Sequence, residues 1–171
     1  NEVGLDPTVV IGGKINSFGS NAKLGKGDLF VAEADESDGS FLRLTPTIAI
    51  ITNIDRDHLD HYENLEDIVK AFEAFLDKVP FYGAVCACID DPIVQLILPK
   101  IRRKLITYGL RQDADITATD KVTNGMNTSY TPRLFGKSYP KVNLKMPGSY
   151  NLTNSLATFA VASLLELDIN K

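Results

Sequence analysis

Two acidic clusters could do chemistry in this sequence. The first is Glu33-Ala-Asp-Glu-Ser-Asp38, which holds four acids and one serine and follows the apolar run Leu29 to Ala32. The second is Asp55-Arg-Asp-His-Leu-Asp-His61, which follows the apolar run Thr47 to Thr52. Carboxylates crowded into one crevice repel one another unless a divalent cation supplies the opposing charge. Open parallel sheets bind ligands beyond the carboxyl ends of their strands. Two acidic clusters at two such ends therefore predict one metal or phosphate site, although any single acid reads more simply as a helix cap or a solvated loop. His58, flanked by Asp57 and Asp60, is a candidate ligand or general base. His61 has no comparable support. A histidine among carboxylates suits manganese as well as magnesium.

Other chemistries find less support. Each Gly-Lys pair fails the phosphate-loop pattern G-x-x-x-x-G-K-S/T: Gly13-Lys14 is preceded by Thr8 where the first glycine belongs, Gly25-Lys26 by Ser20, and Gly136-Lys137-Ser138 by Thr131. Ser37 and Ser40 lie near acids but outside any G-x-S-x-G turn, which argues against a serine nucleophile. Cys86 and Cys88, two apart in an apolar run, read as buried structural thiols, because a lone Cys-x-Cys is half a metal site and too constrained for an ordinary disulfide. Free thiols fit a reducing cytoplasm.

The elements that must position the clusters follow from pattern. The runs Leu29–Ala32, Thr47–Thr52, Ala84–Ile89 and Leu105–Tyr108 read as strands buried on both faces. Between the second and third, Leu65, Ile68, Val69, Phe72, Phe75, Leu76 and Val79 recur at helical spacing, with Asn64 as N-cap and Pro80 as stop. Asp91-Pro92 opens a shorter helix that Pro99 should kink or divide. The alternation of strand and helix predicts an α/β fold with a mostly parallel sheet flanked by helices. Residues 115–146 read as a small antiparallel extension, with Asn124-Gly125 as hairpin turn and a loop from Pro132 to Pro140. A last helix over Asn151–Leu167 should dock an apolar stripe on the sheet.

Composition agrees with this globular reading. The 171 residues carry 18 Lys and Arg against 22 Asp and Glu, a net charge of −4, with 44% hydrophobic residues. The one short basic run, Lys100 to Lys104, is broken by Ile101, so nucleic acid is not an expected partner. No apolar stretch approaches the roughly 18 residues of a membrane span, and no membrane partner is expected.

The residues resemble the Mur ligases of bacterial cell-wall synthesis. The resemblance rests on Gly12-Gly13, the stretch from Leu29 to Leu42, Pro46 to Asp55, Asp57-His-Leu-Asp-His-Tyr62, Pro80-Phe-Tyr-Gly83 and Pro147-Gly-Ser-Tyr-Asn-Leu-Thr-Asn154, in the family's order. It implies a central ATP-binding domain over residues 1–171, with the antiparallel extension 115–146 inside it. It also implies that the family's phosphate loop lies upstream of Asn1, so that this stretch alone is an incomplete enzyme. The implied reaction joins L-alanine to UDP-N-acetylmuramate through an acyl phosphate, with ATP and Mg²⁺ or Mn²⁺ as cofactors. Glu33 and His58 are the implied metal ligands, with Glu36 as runner-up to Glu33. Asp57 is implied to orient His58 or a bound water, and Asn151 and Asn154 to contribute to the adenine pocket. Read from the residues alone, Asn151 and Asn154 are helix-capping and first-turn polar groups. Tyr150 departs from the family pattern, which usually has His there. Two readings stand outside the family: a metal-dependent phosphohydrolase built on the same two acidic clusters, and a non-catalytic nucleotide-binding module in which Glu33 and His58 would not matter for ligand affinity.

Overall fold

The computed structural model describes residues 4–15, 19–55 and 62–169. The chain forms two compact units, Asn1–Leu44 and Thr45–Lys171.

The first unit is a three-stranded sheet. Its central strand β1 (Thr8–Ile15) pairs antiparallel with β2 (Ser20–Lys23) and parallel with β3 (Phe30–Ala32). The turn between β2 and β3 packs directly on the chain before β1. A methyl group on Gly25 would lie 2.1 Å from the Asp6 carbonyl oxygen, and one on Gly27 would lie 1.8 Å from that of Leu5. Only glycine permits that approach. The Asp6 carboxylate closes the same corner, accepting from Lys23 Nζ at 2.9 Å and from the Lys26 N–H at 3.0 Å. Beyond β3, a 3₁₀ turn over Ser40–Arg43 buries Phe41.

The second unit is α/β. Strands β4 (Ile48–Ile51), β5 (Ala84–Cys88) and β6 (Lys104–Tyr108) are parallel, linked by helices α1 (Leu65–Asp77) and α2 (Pro92–Ile97). The sheet continues through β7 (Ile116–Asn124), β8 (Asn127–Leu134), β9 (Lys137–Ser138) and β10 (Val142–Leu144), in the order β10-β8-β7-β6-β5-β4 with β9 also on β8. Pairing is parallel up to β7 and antiparallel beyond it. Both crossovers run the same way along the sheet, so right-handed connection puts α1 and α2 on one face. Helix α3 (Ser149–Leu164) covers the other, where Leu152, Leu156, Ala157 and Ala160 pack with Cys86, Cys88, Ile106, Tyr108, Ile116 and Tyr130.

The helix ends follow their sequence signals. Asn64 Oδ1 accepts from the Asp67 N–H at 3.1 Å, and Asp91 Oδ1 accepts from Ile93 and Val94 at 2.9 and 2.7 Å. Pro99 ends α2, and the chain continues as a 3₁₀ turn over Leu98–Lys100. At the far end of α1, Arg103 Nε donates to the Val79 carbonyl at 2.6 Å, a cation on the carbonyl-rich terminus.

Four expectations need correction. The run Leu29–Ala32 forms β3, which pairs with β1 and not with the parallel sheet of β4, β5 and β6. Burial on both faces holds for β5 alone among the four runs, since all residues of β3 are exposed and Ile50 of β4 is too. The expected loop from Pro132 to Pro140 begins as strand: Pro132 lies inside β8, fully buried opposite Ala118. A strand residue's N–H and C=O point to the same side, and the Pro132 carbonyl accepts from Tyr139. Its missing N–H therefore faces away from β7, toward the break between β9 and β10. Finally, the hairpin loop is Gly125-Met126, flanked by the pair Asn124 and Asn127. Gly125 has φ 56° and Met126 is not left-handed, the II′ pattern with glycine first.

Candidate functional site

Glu33 is the first residue past β3, and the β1–β3 ladder explains its position. Thr8 donates to the Leu29 carbonyl at 2.9 Å, and the Glu33 N–H donates to the Val10 carbonyl at 2.9 Å. The next donor along that side of β1 is the Gly12 N–H. It meets Glu33 Oε2 at 2.6 Å. The carboxylate thus takes the place of a strand carbonyl where β3 has ended, and Glu33 is held at both its main chain and its side chain. The carboxylate itself is exposed.

The other acids of the first cluster do local work. Asp35 Oδ1 accepts from the Ser37 N–H at 2.9 Å, and Asp38 Oδ1 from the Ser40 N–H at 2.8 Å, both turns of the Asx kind. Glu36, the runner-up, is half-buried and its carbonyl accepts from the Gly39 N–H. Asp35 and Asp38 are thus exposed turn acceptors and not helix caps, since Gly39 is the N-cap of the following 3₁₀ turn and no side chain caps it.

The second cluster begins at the carboxyl end of β4. Ile54 is buried, while Thr52, Asn53 and Asp55 are exposed. Asp57, His58, Asp60 and His61 lie outside the described residues. The end of β4 is itself anchored: the hydroxyl of Tyr108, fully buried on β6, reaches across β5 and donates to the Ile51 carbonyl at 3.0 Å. Burial pushes the Tyr108 phenol well up, so it stays a donor. At the ends of β5 and β6, Asp90 accepts from the N–H groups of Leu110 and Arg111 at 2.7 and 3.2 Å. That acid is engaged in the turn.

Asn151 and Asn154 lie on the first turns of α3, three residues apart and hence on one face. The capping reading of Asn151 does not hold. Gly148, at φ 99°, occupies the N-cap, and Asn151 Nδ2 instead donates to the Pro147 carbonyl at 2.7 Å. That bond consumes one amide donor and leaves Oδ1 and the second N–H for a ligand. Asn154 and Tyr150 are exposed.

Among the described residues, no group of three or more His, Cys, Asp or Glu side chains is placed to hold a metal. Glu33 by itself fits a hard divalent cation. It is an exposed carboxylate with one oxygen fixed by a main-chain donor, and magnesium sites take one or two carboxylates plus phosphate oxygens and water. Cys86 and Cys88 are buried free thiols, with Cys86 pushed up to about 11 by burial, which fits a structural role. No Gly-Lys pair stands between a strand and a helix. Gly13-Lys14 lies in β1, Gly25-Lys26 in the β2–β3 turn, and Gly136-Lys137 at the β8–β9 turn.

The match to known proteins covers most of the chain. The model of the Mur ligase middle domain matches residues 14–162. The chain belongs to the Mur ligase family. Two relatives named UDP-N-acetylmuramate–L-alanine ligase, from Pelobacter propionicus and Sorangium cellulosum, are 52% and 54% identical to this Mur ligase domain, over 97% and 98% of its length. The chain spans 36% of the length of each of these relatives. Among solved structures, the UDP-N-acetylmuramate-alanine ligase of Thermotoga maritima superposes with a TM-score of 0.78 at 28% identity, covering 96% of this chain and 36% of that one. The UDP-N-acetylmuramate:L-alanyl-γ-D-glutamyl-meso-diaminopimelate ligase of Neisseria meningitides gives 0.84 at 26% identity, covering 98% and 56%. The Mur ligase fold is therefore shared, with its α/β sheet and flanking helices.

The sequence reading missed the Gly12 N–H and the Tyr108 hydroxyl. A main-chain donor has no residue-type signature. Tyr108 sat in an apolar strand and read only as core.

Proposed function

We propose that this domain is the nucleotide- and metal-binding part of an ATP-dependent ligase that joins L-alanine to UDP-N-acetylmuramate. The observation that carries the reading is identity above half, across nearly the whole chain, to relatives bearing that activity in their names. The geometry is consistent with it, since Glu33 ends β3 with a fixed, exposed carboxylate.

In the proposed reaction the sugar carboxylate attacks the γ-phosphorus of ATP. An acyl phosphate forms and ADP leaves. The amine of L-alanine then attacks the acyl carbon, the C–O bond to phosphate breaks, and an amide, inorganic phosphate and a proton result. Phosphoryl transfer asks the protein mainly to position reactants and neutralise charge. Glu33 and His58 would hold a divalent cation, Mg²⁺ or Mn²⁺, which supplies the positive charge beside the transferred phosphate. Asp57 would orient His58 or a bound water. Asn151, through its remaining amide groups, and Asn154 would receive the adenine edge, whose ring nitrogens and amino group match an amide's donor and acceptor. ATP and a nucleotide sugar are cytoplasmic metabolites, so the work is placed in the cytoplasm.

Phosphate release by the full-length protein, measured with each substrate omitted in turn, tests the proposal. Release should require ATP, UDP-N-acetylmuramate and L-alanine together, and Glu33→Ala should lower kcat about 100-fold or more, the scale for losing transition-state charge stabilisation. Steady ATP hydrolysis indifferent to both co-substrates, or an unimpaired Glu33→Ala enzyme, would contradict it.

A further inference from the structure

We infer that Gly12 is a positioning residue for the Glu33 carboxylate, and that glycine stands there because a side chain would push that carboxylate out of its place. The inference rests on the assignment of Glu33 to a divalent cation.

Three observations support it. First, Gly12 holds Glu33 directly, its N–H lying 2.6 Å from Oε2. The offset of 21 residues between the two is the one that joins Thr8 to Leu29 in the regular ladder, so the contact is set by strand register. Second, a methyl group at position 12 would lie 3.2 Å from Oε2 and 3.7 Å from Cδ of Glu33. The first distance is tighter than most real side-chain contacts, so the neighbour must give by a few tenths of an ångström. The carboxylate, exposed and on a flexible stem, is the partner that must yield. Third, the backbone does not explain the glycine. Gly12 is not among the residues with left-handed φ, and glycine inside a strand weakens it, so alanine would be preferred on local grounds alone. Gly13 supplies the contrast. It shares the strand and the backbone class, yet a methyl group there meets nothing within 4 Å.

The chemistry follows from ligand geometry. With Oε2 fixed by a neutral main-chain donor, the carboxylate's orientation is set before a cation arrives, and Oε1 is presented for ligation. Outer-shell partners of this kind typically change metal affinity by about 10- to 100-fold when lost. A side chain at position 12 leaves the N–H in place and shifts the carboxylate against it by a few tenths of an ångström, so the lower end of that range applies.

The test is Mn²⁺ binding to the full-length protein with a non-hydrolysable ATP analogue present, read by the electron paramagnetic resonance of free Mn²⁺. Wild type is compared with Gly12→Ala, Gly12→Val, Gly13→Ala and Glu33→Ala, and thermal melting is followed in parallel. Gly12→Ala should weaken Mn²⁺ binding about 10-fold, Gly12→Val further, and Gly13→Ala not at all. Wild-type Mn²⁺ affinity in Gly12→Ala, alongside lost binding in Glu33→Ala, would overturn the inference and leave the metal assignment standing. Equal losses in Gly12→Ala and Gly13→Ala would also overturn it, because the strand and not the carboxylate would be responsible. Undiminished binding in Glu33→Ala would remove the metal assignment itself.

Discussion

Cys86 and Cys88 show what burial does to a reactive group. Both thiols lie in the α3 face of the sheet, and desolvation raises both above the ordinary thiol value of 9.0, Cys86 to about 11. The unfolded chain then releases thiol protons at lower pH than the folded one. Stability is fully present below about pH 9 and falls as pH rises from there toward 11. Denaturant titrations at pH 8, 9 and 10.5 should show a falling midpoint, and a disulfide reagent at pH 8 should modify neither thiol until the protein unfolds. A flat midpoint across that window would mean that the thiols are solvated. These cysteines were legible in the sequence because their apolar neighbours announced burial. The roles of Asp35 and Asp38 were half-legible: the acidic cluster was visible, but only the structure separates two Asx acceptors within their own turns from Glu33, which accepts from the neighbouring strand β1.

At the scale of elements, capping and turn residues spoke clearly and strand partnership did not. Asn64, Asp91 and Pro99 act through the few residues around them, so their effect is written locally. The partner of β3 is a non-local fact. Nothing in Leu29–Ala32 says that it pairs with β1, and β1 itself escaped notice because Gly12 and Gly13 interrupt its β-branched run. Pro132 misled for a related reason, because proline argues against strand unless its missing donor faces a gap, and the gap becomes visible only once β9 and β10 are placed. Tyr108 ties two elements together across a third. Tyr108→Phe would keep the ring packed against α3 but leave the Ile51 carbonyl without its hydroxyl donor. The expected cost is about 1 to 3 kcal/mol in chemical denaturation, the range for losing one buried hydrogen-bond partner. The same change frees the end of β4 that leads to Asp55. An unchanged unfolding midpoint would show that the bond contributes nothing net.

For the molecule as a whole, the α/β class was readable from the alternation of strand and helix, and the family because stretches resembling it run from Gly12 to Asn154, as the match over residues 14–162 bears out. The candidate site residues were less readable, because they lie far apart in the sequence, Glu33 just after β3 and Asn151 with Asn154 on α3. The proposed function requires that Glu33, His58, Asn151 and Asn154 serve one nucleotide and one cation. Calorimetric titration of the full-length protein with a non-hydrolysable ATP analogue, with and without Mn²⁺, tests this in wild type, Glu33→Ala, His58→Ala and Asn151→Ala/Asn154→Ala. The claim predicts that the asparagine changes weaken binding about 10-fold or more whether or not Mn²⁺ is present, two hydrogen-bonding partners being lost. It also predicts that Glu33→Ala and His58→Ala each abolish the gain in affinity that Mn²⁺ gives wild type. Wild-type affinity and wild-type metal dependence in all three variants would contradict it.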